Sequence, residues 1–183
     1  MSILVIAEHD NSNLKGATLN TVAAALEISD DISLLIAGFN IDSVIDEAKK
    51  IDNINNILKC DDEVYKNALA EDLAALVVSN VGSFTHILAP ATTFGKNVMP
   101  RISAKLDSQQ ISDIISVESE NTFKRPIYAG SCIATVKSND SIKIITVRST
   151  AFDPVGCNSS DTEISEIDAL STSGISKFIS EEI

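Results

Sequence analysis

Continuous apolar runs alternate with amphipathic stretches through the first hundred residues. Residues 3–7 (ILVIA), 32–37 (ISLLIA) and 85–90 (THILAP) are short and β-branched, with no polar alternation. That is the pattern of strands buried on both faces, as in a parallel sheet. Residues 55–60 (NNILKC) read as a weaker strand of the same kind. Helical periods fall between these runs. Thr18 is placed to cap a helix carrying Leu19, Val22, Ala23 and Leu26. Residues 41–50 turn Ile41, Val44, Ile45 and Ala48 to one side. Residues 64–78 do the same with Ala68, Leu69, Leu73, Leu76 and Val77, and residues 97–106 with Val98, Ile102 and Leu106. A helix starting near Asn97 keeps Pro100 in its first turn, where the missing N–H costs little. Four strand–helix units predict a mainly parallel sheet with helices on both faces.

After Asp107 the helical period ends. Residues 111–117 contain a short apolar run. Residues 122–137 and 141–148 read as two strands around the polar turn Ser138-Asn139-Asp140, an antiparallel hairpin. From Thr150 the chain is rich in Ser, Asp, Glu and Thr, with Ile164, Ile167 and Phe178 as spaced apolar contacts. This is a tail that lies along its own domain or along a partner. The expected organisation is one α/β domain over 1–153 and a tail or linker over 154–183.

The turn between the strand at 85–90 and the helix at 97–106 is the candidate binding feature. Such a turn places free N–H groups at the carboxyl edge of a sheet, where open α/β folds bind ligands, often anions. The anion-turn candidates are Thr93, Gly95, Lys96, Asn97 and Arg101. Arg101, Arg125 and Arg148 would bind a carboxylate or phosphate if they converged, or pair with the 26 acidic residues. No GxGxxG, GxxxxGK[ST], GxSxG or HExxH occurs. His9 ends the first strand and His86 lies inside another; both read as packed or hydrogen-bonded histidines. Asp61-Asp62-Glu63 reads as a solvated turn at a helix start. Neither a metal site nor a catalytic residue is expected. A net charge of −12 disfavours nucleic acid and anionic membranes as partners. Cys60, Cys132 and Cys157 form no CxxC pair and suit a reducing compartment. No signal sequence or membrane-length apolar run is read, so a cytoplasmic location is expected.

Several motifs in order resemble a known family. They are ILVIAEH (3–9), TLNTVAAA (18–25), PATTFGKNVMPRISAKLD (90–107), ISDIISVE (111–118), FKRPIYAGS (123–131) and ITVRSTAFD (145–153). Together they resemble the N-terminal domain of the α subunit of electron transfer flavoprotein. Ser131 stands where that family usually has Asn. The resemblance implies a Rossmann-like fold of the adenine nucleotide α-hydrolase type, and an electron carrier without catalytic residues of its own. It implies a heterodimer with a β subunit that carries AMP. It further implies FAD in the full-length heterodimer, held mainly by a glycine-rich domain beyond Ile183, with no cofactor on this chain alone. A natural short form, a fragment and a split gene all fit that pattern. The holoprotein would pass electrons from flavin dehydrogenases, such as the acyl-CoA dehydrogenases of fatty acid β-oxidation, to a quinone reductase. An alternative is a stand-alone adenine-nucleotide-binding module of the same fold. An enzyme of the nucleotide α-hydrolase type would need a phosphate loop richer in Gly and Ser than residues 91–97.

Overall fold

A computed structural model describes residues 1–159 and 162–180. Residues 160, 161 and 181–183 of the predicted tail lie outside the described residues. The chain runs β1 (Ile3–Ile6), α1 (Ala17–Leu26), β2 (Ile32–Gly38), α2 (Asp42–Ala48), β3 (Asn56–Asp61), α3 (Ala70–Ser79), β4 (His86–Pro90) and α4 (Thr93–Leu106). Six more strands follow: β5 (Gln110–Ile114), β6 (Ser116–Ser119), β7 (Thr122–Ile127), β8 (Cys132–Lys137), β9 (Lys143–Val147) and β10 (Glu163–Glu166). Seven strands form one sheet in the order β10-β3-β2-β1-β4-β9-β5, and every pair in it is parallel. The remaining three form a small antiparallel sheet, β6-β7-β8. The fold is therefore of the expected class, α/β with a mostly parallel sheet, helices on both faces and a late antiparallel addition.

Alternation along β1 builds the two sides of the core. Ile3 and Val5 pack with α1 and α2, while Leu4 and Ile6 pack with α3 and α4. All four are at most 1% exposed. Each such side chain contributes about 1.5–3 kcal/mol by leaving water. β2 repeats the scheme with Ile32, Leu34 and Ile36 on one side and Leu35 and Ala37 on the other.

Four local expectations are corrected. The strand at 141–148 does not pair with 122–137. Instead β9 enters the main sheet between β4 and β5, parallel to both. Its KIITV run, buried from Ile144 to Val147, is the doubly covered pattern of a parallel strand. Residues 122–137 fold back on themselves as β7 and β8, because Tyr128 and Ala129 adopt left-handed backbone at φ 48 and 53. Gly130 and Ser131 are the turn-forming residues of that reversal.

The helix at 64–78 begins only at Ala70. Ala68 breaks it at φ 46, and residues 63–65 form a separate short turn that buries Tyr65. α4 begins four residues earlier than expected, at Thr93, so Pro100 lies inside the helix rather than in its first turn. Thr18 does not cap α1. Gly16 holds that position, and the Thr18 hydroxyl accepts from the backbone N–H of Glu8 at 3.1 Å. The tail, finally, lies along its own domain: β10 pairs in parallel with β3.

Two predictions follow from close packing and from burial. A Cβ on Gly95 would sit 1.9 Å from the Pro90 carbonyl oxygen, whereas one on Gly16 would meet nothing within 4 Å. Gly95→Ala should therefore destabilise the fold by about 3 kcal/mol or more. Gly16→Ala should stay within about 1 kcal/mol of wild type, as read by denaturant melts of both. The second concerns His86, which is 1% exposed. Its Nε2 lies 2.7 Å from the Glu120 carbonyl and its Nδ1 2.8 Å from Thr85 Oγ1. Burial holds its pKa below the ordinary 6.5, so the imidazole is neutral when folded and gains a proton on unfolding. His9 is shifted in the same direction by burial. The unfolded state thus binds more protons below that ordinary value, and stability is lost as pH falls from there towards the lowered folded values. The denaturant midpoint should drop across that window, and His86→Asn should flatten part of the slope. An unchanged slope would remove His86 from the account.

Candidate functional site

The order of strands reverses between β1 and β4, so the carboxyl ends of these strands define the expected ligand crevice. Three segments converge there: the loop after β1, the loop after β2, and the turn from β4 into α4. Each is held by side chains whose roles follow from chain direction.

Thr92 is the N-cap of α4 in extended backbone, and its Oγ1 accepts from the Gly95 N–H at 3.5 Å. The same hydroxyl donates to Glu8 Oε2 at 2.7 Å. Glu8 comes from the end of β1, where its backbone N–H is held by Thr18. A carboxylate of this chain therefore stands beside the positive end of α4, a placement the helix dipole favours. Gly95 is buried against the Pro90 carbonyl, which brings α4 close onto the end of β4. Its lack of a side chain serves that approach.

The other anion-turn candidates separate. Thr93 and Lys96 are exposed and make no side-chain hydrogen bond among the described residues. Asn97 Oδ1 accepts from Arg101 Nη1 at 2.6 Å. Arg101 also donates to Glu71 Oε1 from Nη2 at 3.0 Å and from Nε at 3.2 Å, bridging α4 to α3. The three arginines do not converge. Arg125 Nε donates to the Ser112 carbonyl at 2.7 Å, and Arg148 pairs with Asp113 through Nε, at 3.2 Å, and Nη2. Each is committed to its own strand or helix neighbour.

A cavity of about 330 Å³ opens beside the ends of β1 and β2, lined by His9, Asn11, Lys66, Phe94 and Phe178 among others. Its polar groups are largely turned to the protein. His9 Nε2 donates to the Ala37 carbonyl at 3.1 Å, and Nδ1 accepts from the Asn11 N–H at 3.1 Å. Burial lowers the His9 pKa, which matches this neutral, doubly engaged ring. Asn11, at φ 66, accepts from the Phe39 N–H at 3.1 Å and donates to the Lys66 carbonyl at 2.8 Å. Gly38 makes room for this, since a Cβ there would lie 2.3 Å from Asn11 Oδ1.

The tail crosses the same edge. Leu170 N–H donates to Tyr65 OH at 3.1 Å. The Ser173 N–H and Thr172 Oγ1 donate to the Asp72 carboxylate at 2.7 and 3.0 Å, and Ser176 Oγ donates to Glu71 Oε2 at 2.8 Å. Asp72 is only 4% exposed. Burial pushes its pKa up, but the hydrogen bonds from Ser173 and Thr172 outweigh it and hold the carboxyl below its usual range. Glu8, Thr92, Tyr65 and Asp72 were not among the sequence candidates. A Thr two residues after a strand was the one local signal, as a cap. The burial of Asp72 depends on a contact across 101 residues and has no local signal.

Cys60 is buried, and burial with nearby Asp62 and Asp61 pushes its thiol up to about 11; Cys132 and Cys157 are exposed. Among the described residues no cluster of His, Cys, Asp and Glu could hold a metal ion. Nor is any described helix long and apolar enough to cross a membrane.

Residues 3–172 match the model of the electron transfer flavoprotein domain. The whole chain is 46% identical to the electron transfer flavoprotein subunit alpha of Pseudomonas aeruginosa, spanning 59% of that protein. It is 44% identical to the subunit alpha of Bradyrhizobium diazoefficiens, of which it spans 58%. Against the mitochondrial subunit alpha of Dictyostelium discoideum, 97% of the chain aligns at 41% identity, over 52% of that protein. The chain thus spans between half and three-fifths of the length of these curated relatives. On the match of nearly its whole length, this chain belongs to the electron transfer flavoprotein family, as the N-terminal domain of an α subunit.

Proposed function

We propose that this chain is the scaffold half of an electron transfer flavoprotein α subunit. It docks a β subunit and supports a flavin-carrying domain, and has no catalytic residue of its own. The observation that carries the reading is the self-closed carboxyl edge. A dinucleotide needs unpaired N–H groups backed by glycines at a helix N-terminus. Here the Gly95 N–H is met by Thr92, Gly95 itself is packed on Pro90, and the Glu8 carboxylate stands against the cap. A phosphate brought to that point would meet a like charge. Among the described residues the edge does not fit a flavin diphosphate, nor does it favour AMP. In the whole assembly the flavin would take up and give out electrons, and this domain's part would be rigidity and subunit contact.

The same reading places FAD mainly on the glycine-rich domain that the full-length α subunits carry, and AMP on the β subunit. Electrons would come from flavin dehydrogenases, including acyl-CoA dehydrogenases, and leave to a quinone reductase. It also places the protein in the cytoplasm, with residues 1–153 as the body of the domain and 154–183 as the segment that adds β10 to its sheet before leading towards the flavin domain. Thr93, Lys96 and Asn97 remain on the exposed first turns of α4 as candidates for contact with that domain. The alternative, a stand-alone adenine-nucleotide module, rests on the cavity beside His9 and Asn11.

Two measurements separate these readings. Co-expressed with its β subunit, the chain should elute from size exclusion as one complex; two separate peaks would overturn the docking role. Calorimetric titration of the isolated chain with AMP should give no heat at millimolar nucleotide. Saturable binding there would favour the nucleotide module.

A further inference from the structure

We propose that residues 171–178 form a hinged strap, closed over the carboxyl edge of the sheet at rest, that opens and recloses while the rest of the domain stays folded. The inference goes beyond the function proposed above and does not depend on subunit docking.

The tail changes character at Leu170. Up to that point it is held as the sheet is held. β10 is laddered to β3, and the Ile167 N–H donates to the Lys59 carbonyl at 2.9 Å. Ile164 packs on one side of the core, Ile167 and Leu170 on the other. Past Leu170 the chain has no regular structure, and no residue from 171 to 180 is buried. Among the described residues this stretch makes no backbone–backbone hydrogen bond. Three bonds carry it instead. Thr172 Oγ1 and the Ser173 N–H donate to Asp72 at 3.0 and 2.7 Å, and Ser176 Oγ donates to Glu71 Oε2 at 2.8 Å. A segment with so little buried apolar contact opens locally, at a fraction of the cost of global unfolding.

Asp72 is the clasp. Both carboxylates stand in the first turn of α3, but they are not equivalent. Glu71 also accepts from Arg101, so it keeps a partner when Ser176 leaves. Asp72 is 4% exposed, and among the described residues both side-chain bonds it accepts come from the strap. A buried carboxylate is tolerated only while donors meet it. Lifting the strap removes the donors and the cover in one step, and water takes their place. Closing restores both together. The strap therefore has two states, shut or open, and does not fray residue by residue. Gly174, at φ 65 between the two attachments, turns the chain from Asp72 towards Glu71.

Phe178 shows what the strap covers. It is 42% exposed and lines two hollows. One is the cavity of about 330 Å³ beside His9 and Asn11. The other is an open trough of about 670 Å³ bordered by Val64, Leu69 and Thr172. Phe178 and Asn67 are the residues common to both. Phe178 thus stands as the partition between them. When the strap lifts, the two join into one crevice running from the ends of β1 and β2 to the start of α3. Leu35, Leu73 and Phe94 give that crevice an apolar wall, and Asp72 becomes accessible at its rim.

Native-state amide hydrogen exchange of the 183-residue chain, followed residue by residue by NMR, tests the strap. The Ser173 amide reports the clasp, and the amides of β1 report global unfolding. Ser173 should be protected, yet exchange much faster than β1 and with little response to low denaturant. Asp72→Asn keeps the shape of the acceptor but removes its charge, and should speed Ser173 exchange about tenfold. Thr172→Val takes one donor from the strap itself and leaves α3 intact. It should speed Ser173 exchange by a smaller factor with β1 unchanged, and it decides the matter if Asp72→Asn loosens the helix. Three results would overturn the proposal. Ser173 exchanging as an unfolded chain does would mean that no strap closes. Ser173 exchanging only together with β1, with the same denaturant dependence, would make the strap part of the global unit. Unchanged Ser173 exchange in Thr172→Val and in a folded Asp72→Asn would remove Asp72 as the clasp.

Discussion

Burial of a parallel sheet on both faces is the constraint from which the rest of this molecule follows. β1 sends Ile3 and Val5 to one helical layer and Leu4 and Ile6 to the other, so neither layer can be removed without exposing the centre. Parallel strands need long crossovers; the four helices supply those between β1 and β5, and the antiparallel sheet supplies the one from β5 to β9. All strands in the sheet therefore point the same way, and their polar ends gather at one edge. Glu8, Gly38, Asp61 and Thr92 meet there because of this shared direction, not because of proximity in sequence.

What the edge does with those groups is to turn most of them onto the protein itself. Thr92 donates to Glu8, His9 and Asn11 are spent on backbone partners, and Asp72 and Glu71 hold the tail across the end of α3. A buried carboxylate without such donors would be costly. Here the donors come from segments far in sequence from the carboxylates they serve, so the edge acts as internal glue. That is the property the proposed platform role would require.

Much of this was legible in the sequence. The runs ILVIA, ISLLIA and THILAP gave strands within one or two residues, because doubly buried strands need no alternation and few other elements look like them. The inward faces of α2 and α4 were equally readable from spacing. Other features depended on information that no short window holds. β9 looked like half of a hairpin because Ser138-Asn139-Asp140 is a good turn, yet its place was decided by the gap between β4 and β5. The reversal at Tyr128 had a local signal in Gly130-Ser131, but the apolar runs on both sides read as one strand through it. α4 starts at the Thr92 cap and carries Pro100 in its interior, so a proline is a weaker marker of its start than the capping hydroxyl. Of the anion-turn candidates, Gly95 proved to be a packing residue, and Arg101 and Asn97 proved to hold one another. Those roles depend on Pro90 and Glu71, which only the fold brings near.

Equilibrium dialysis of the purified chain against FAD, read by its visible absorption, tests the central claim most directly. A self-closed platform leaves the protein compartment no yellower than the buffer. Retention of one flavin for each chain, carried by these residues alone, would contradict it.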